Sequence, residues 1–117
     1  MSMFNLETCK KLARDFNAEV IPCHNPMSFG LTQNEPVTGV HLILPNLWTV
    51  SIQWGDGTYT AQRVSDNPSV SEDAEIAAWD RDEKWYDFGE DQVKGYCSVS
   101  DVMNFLRKIS NSSSLLN

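Results

Sequence analysis

The sequence predicts an α+β fold, a mainly antiparallel sheet of four to five strands arranged as two hairpins, with an N-terminal and a C-terminal helix packed on it. Three observations predict it. Apolar residues recur at helical spacing near each end of the chain, Trp48 to Trp54 alternate with polar residues, and turn signals punctuate the middle.

The first helix is marked by Asn5, a good N-cap residue, followed by Leu6, Cys9, Leu12, Ala13 and Phe16 at spacings of three and four. Lys10, Lys11 and Arg14 take the solvent side, and the helix is expected to stop near Asn17. Glu19 to Pro22 reads as a short extended piece. Cys23 to Gly39, with Pro26, Gly30, Asn34 and Pro36, reads as a long loop. Val40 to Leu44 is an aliphatic strand closed by Pro45-Asn46. Trp48, Val50, Ile52 and Trp54 form one face of the next strand. Asp56-Gly57 then predicts a tight turn that would set Trp54 opposite Tyr59 and Ile52 opposite Ala61.

After the polar linker Ser65 to Asp73, a second hairpin is expected from Ala74 to Asp80 and Trp85 to Phe88. Turning around Arg81 to Lys84, it would pair Asp80 with Trp85, Trp79 with Tyr86 and Ala77 with Phe88. Gly89 to Tyr96 reads as a loop. Ser98 with Asp101 resembles a capping box, and Val102, Phe105, Leu106 and Ile109 give the closing helix its apolar stripe. The expected organisation is a single domain over residues 1–110 with a flexible tail at 111–117.

A chain of 117 residues with four Trp, five Phe and three Tyr can bury a self-sufficient aromatic core. Its three cysteines are odd in number and irregularly spaced, unlike a secreted disulfide framework. Met1 to Leu6 has neither the basic nor the apolar part of a signal peptide, and Val40 to Trp48 is too short and interrupted to span a bilayer. A soluble protein of a reducing compartment is expected.

No catalytic, cofactor or metal site is expected. Cys9, Cys23, Cys97, His24 and His41 lack zinc-site spacing. Asp80-x-Asp82 with Asp91 fails as a calcium loop, because Lys84 and Trp85 stand where an oxygen ligand and a glycine are required. Gly55-Asp56-Gly57 has no helix behind it to cradle a phosphate.

Charge is more telling. Asp66 to Asp91 holds ten acids against two bases, while the rest of the chain holds six acids and seven bases, so the formal charge of −7 comes from one segment. Nucleic-acid binders carry the opposite sign. An acidic field instead steers a basic protein surface. The candidate partner-binding residues are therefore Asp80, Asp82, Glu83, Trp85, Asp87, Glu90 and Asp91, with Trp85 as apolar anchor.

Ala74-Glu-Ile-Ala-Ala-Trp-Asp80, Trp85-Tyr-Asp-Phe-Gly89 and Val93-Lys-Gly-Tyr96 resemble segments of an uncharacterised family of small accessory proteins encoded by bacteriophages and prophages. Trp48-Thr-Val-Ser-Ile-Gln-Trp-Gly55, with Gly57 and Tyr59, is similar to the strand before that segment in the same proteins, and the resemblance covers Val40 to Ile109. It implies a setting, an accessory phage protein made in the bacterial host cytoplasm; joined to the acidic segment, that setting gives the expectation of binding to a host protein with a basic surface, such as antiviral restriction or CRISPR machinery. No direct contact with nucleic acid or membrane is expected. The other readings are a small enzyme or nucleotide-binding protein using the Cys23 to Gly39 loop, and a minor virion component.

Overall fold

Helix α1 spans Leu6–Asp15, and its start is fixed by the Asn5 side chain, which accepts the Thr8 N–H at 2.8 Å. A cap of this kind stabilises a helix by about 1 kcal/mol. Cys9, Leu12 and Ala13 are its buried stripe. Asn17, in the left-handed region at φ 56°, turns the chain into the sheet. Helix α2 spans Val99–Ser110 and begins with a full capping box: Ser98 Oγ accepts the Asp101 N–H, and the Asp101 carboxylate accepts the Ser98 N–H. Both helices form where the sequence predicts them.

The structure, a computed structural model, describes residues 3–24, 37–54, 72–89 and 92–111. Five strands, β1 (Glu19–His24), β2 (Val37–Ile43), β3 (Thr49–Gln53), β4 (Ala74–Trp79) and β5 (Lys94–Cys97), form one antiparallel sheet in sequence order. With α1 before it and α2 after it, the fold is α+β.

Register decides which face each side chain meets. Val40 lies between Pro22 and Ile52, and Ile52 lies between Val40 and Ile76; Leu42, Val50 and Ala78 form the parallel row. All of these but the strand-edge Pro22 are buried, in one cluster with Leu12, Val102, Leu106 and Ile109 from the helices. Phe4 stacks on Trp54 at 6.0 Å, and Trp48 meets Tyr86 edge-on at 6.4 Å. The other face carries Ile21, His41, Ile43, Thr49, Ser51, Gln53, Ala77 and Trp79. A Cβ at Gly39 would meet the Gln53 side-chain amide, which would have to swing aside.

Two turns share one geometry. In Leu44–Trp48, Leu47 N–H returns to Leu44 O, Leu44 N–H bonds Trp48 O, and Leu47 sits at φ 71°. In Asp80–Lys84, Glu83 N–H returns to Asp80 O, Asp80 N–H bonds Lys84 O, and Glu83 sits at φ 63°. Each is a three-residue loop, a type I turn followed by a left-handed residue. Asn46 also ties the first turn to the last turn of α2, donating to Ile109 O at 2.9 Å.

Several pairings differ from the sequence reading. Both edges of β3 are filled, by β2 and β4, and Ile52 pairs with Val40 and Ile76; Ala61 lies outside the described residues. The Asp56-Gly57 turn and Tyr59 lie outside the described residues. The second hairpin closes one residue earlier than predicted: Trp79 faces Trp85, and Tyr86 N–H bonds Ala78 O. The Asp80 carboxylate causes the shift by accepting the N–H groups of Asp82 at 2.9 Å and Lys84 at 3.0 Å, which closes a loop of three residues instead of four. Trp85 makes a single bridge rather than opening a strand to Phe88. The edge of β4 is taken instead by β5, in the segment read as a loop, with a bulge that leaves Tyr96 at φ 57°. The expected loop from Cys23 to Gly39 is shorter at both ends, because β1 runs to His24 and β2 starts at Val37.

Candidate functional site

The tip of the β4 hairpin gathers most of the described candidate residues. Trp79, the last residue of β4, projects from the face away from α1 and α2, and the bridge to Trp85 puts the second indole beside it. The ring centroids are 4.9 Å apart and the planes are tilted by 34°. His41 meets Trp79 edge-on at 5.3 Å, so three rings run in a row across the sheet. Trp85 is 43% exposed, much for so large an apolar side chain, while Trp79 and His41 are half-buried. Burial holds the His41 pKa below its usual value and favours the neutral imidazole. A hollow of about 360 Å³ opens in front of the indoles and is bounded by Trp79, Glu83 and Trp85.

The charged candidates separate into two groups. Asp82, Glu83 and Asp87 are exposed; Glu83 borders the indole hollow, whereas Asp87 lines a separate hollow with Tyr86 and Phe88. Asp82 pairs with Arg81 at 3.8 Å, and Asp87 accepts the Gly89 N–H at 2.7 Å. Glu83 makes no ion pair among the described residues. Asp80 corrects the expectation: it is 2% exposed and its carboxylate holds the turn, so it cannot present charge to a partner. Glu90 and Asp91 lie outside the described residues. Asp73 is also buried. Among the described residues, Asp82, Glu83 and Asp87 present exposed carboxylates beside Arg81 and Lys84.

Trp79 and His41 are not among the partner-binding residues expected from the sequence. The predicted register would have set Trp85 on the face opposite Trp79, and a slip of one residue is what joins the two indoles. The signal available in the sequence was Asp80 followed by Arg81-Asp82-Glu83, since an aspartate that accepts downstream N–H groups favours a closed turn.

Other groups show no such convergence. Burial pushes the Cys9 thiol up to about 12, and burial also raises that of Cys97, partly offset by Lys94. That direction opposes thiolate formation. Among the described residues no three His, Cys, Asp or Glu side chains are placed to hold a metal ion. A hollow of about 260 Å³ lies between Tyr86, Phe88, Phe105, Lys94 and Lys108, where Lys108 Nζ donates to the Tyr86 hydroxyl at 2.7 Å. Among the described residues no helix is long and apolar enough to cross a membrane.

The site and fold together define a small α+β protein whose meander sheet carries an aromatic row on the face away from its helices. No family model, curated protein or solved structure matches the chain.

Proposed function

We propose that the protein is a binding module that docks on a basic protein surface through the tip of the β4 hairpin. Trp85 carries this reading: a large indole, nearly half exposed, set against Trp79 and bordered by the Glu83 carboxylate. Exposed tryptophans set in well-packed surroundings are the usual energetic centres of interfaces. The exposed carboxylates of Asp82, Glu83 and Asp87, with the net charge of −7, steer a cationic partner. On this reading the exposed carboxylates govern encounter and Trp85 governs residence. The phage-like segments supply the setting of the proposal, a bacterial host protein met in the host cytoplasm, with antiviral defence complexes as the first class to try.

The test is retention of bacterial proteins on the immobilised chain, comparing wild type with Trp85→Ala and with the combined Asp82→Lys, Glu83→Lys and Asp87→Lys variant. Selective loss of a specific partner in both variants supports the docking surface. Retention indifferent to both changes sinks it and leaves the acidic residues as a solvated face.

A further inference from the structure

We propose that the hollow bounded by Trp79, Trp85 and Glu83 receives an arginine side chain of the partner. The inference rests on the docking reading above and adds to it the chemistry that the tip recognises.

The geometry excludes a cage. With centroids 4.9 Å apart the two indoles already touch, so nothing enters between them, and a cation must lie against the faces they turn to the hollow. Quaternary ammonium groups are recognised by aromatic cages that surround them. Two rings in mutual contact and one carboxylate leave such a group mostly open to water. A guanidinium needs less: one π face to stack on, and a carboxylate positioned to take its forked N–H groups. Trp79, Trp85 and Glu83 provide both elements around one hollow.

Charge points the same way. Within the turn, Asp82 is matched by Arg81, whereas Glu83 has no cation among the described residues although it borders the hollow. Its left-handed backbone, φ 63°, is fixed by the Glu83-to-Asp80 and Asp80-to-Lys84 hydrogen bonds, so the carboxylate is presented from a closed loop rather than from a floppy one. His41, at the far end of the row, is favoured in its neutral form by burial and adds no repelling charge at neutral pH. At about 360 Å³ the hollow is near the lower bound of small-ligand cavities, which suits one side chain.

The experiment is an NMR titration of the four tryptophan indole N–H signals with three capped tripeptides, Gly-Arg-Gly, Gly-Lys-Gly and Gly-citrulline-Gly. Expected are shifts of Trp79 and Trp85 with the arginine peptide, about tenfold weaker binding of the lysine peptide, and none of the uncharged citrulline peptide. Glu83→Gln should weaken the arginine response several-fold, and Trp85→Ala should abolish it. Unmoved signals from the buried Trp48 and Trp54 report that the fold survives in each variant. Equal binding of lysine, shifts at other indoles, indifference to Glu83→Gln or no response to the arginine peptide would each overturn the assignment. If the partner captured above is still lost in Trp85→Ala while the arginine peptide gives no response, docking stands and arginine recognition fails. If that partner is retained by both docking variants, the docking reading itself fails.

Discussion

Asp80 shows how far a residue's role can lie from its charge. Read among nine other acids it looks like part of an attractive field, yet its carboxylate is buried and holds two backbone N–H groups. Asp80→Ala should therefore cost about 1–3 kcal/mol in chemical denaturation, because the N–H groups of Asp82 and Lys84 lose their acceptor. Asp82→Ala and Asp87→Ala, at exposed positions, should change stability by less than about 0.5 kcal/mol. Equal effects from all three would contradict the turn geometry. His41 makes a pH-dependent contribution at this scale. Burial lowers its pKa in the fold from the ordinary value of 6.5, so below that value the unfolded chain binds more protons than the folded one. Its contribution to stability is thus complete above pH 6.5 and is lost as pH falls toward the folded value. The slope of stability against pH in that window should flatten in His41→Gln.

At the scale of elements, the two turns with left-handed residues are the most direct check on the sheet. Leu47 and Glu83 occupy a region that costs non-glycine residues about 1–2 kcal/mol. Leu47 is 53% exposed and loses little packing on truncation, so Leu47→Gly should raise the melting temperature by a few degrees. A lower melting temperature would mean that the loop is built differently. The helices were legible in the sequence, since Asn5 and the Ser98–Asp101 pair carry local information that capping physics reads directly. Strands β2, β3 and β4 were legible as elements from their apolar pattern. Their pairing was not. Asp56-Gly57 offers a local turn, but the buried rows through Val40, Ile52 and Ile76 depend on contacts between distant segments. Likewise β5 is four residues with an exposed lysine and tyrosine, too short and too mixed for periodicity to show, and becomes a strand only because the edge of β4 accepts it.

For the whole molecule, the sequence locates the acidic segment of the chain and names Trp85, but not the face on which Trp85 meets Trp79 and His41. That face emerges from register, the property least written in local pattern. The division of labour at the tip also appears only in three dimensions, with Asp80 inward, Asp82 matched by Arg81, and Glu83 beside the indoles. The central claim is that this tip is the docking surface, with charge acting on encounter and the indole on residence. The measurement that tests it most directly is association and dissociation kinetics with the captured partner across a salt series, for wild type, Trp85→Ala and the triple charge-reversed variant. The wild-type association rate should fall as salt shortens screening to about 8–10 Å near physiological ionic strength. Charge reversal should lower the association rate with little change in dissociation, whereas Trp85→Ala should speed dissociation about thirtyfold, as loss of an interface anchor does. An association rate indifferent to salt and to charge reversal, with dissociation unchanged in Trp85→Ala, would contradict the account.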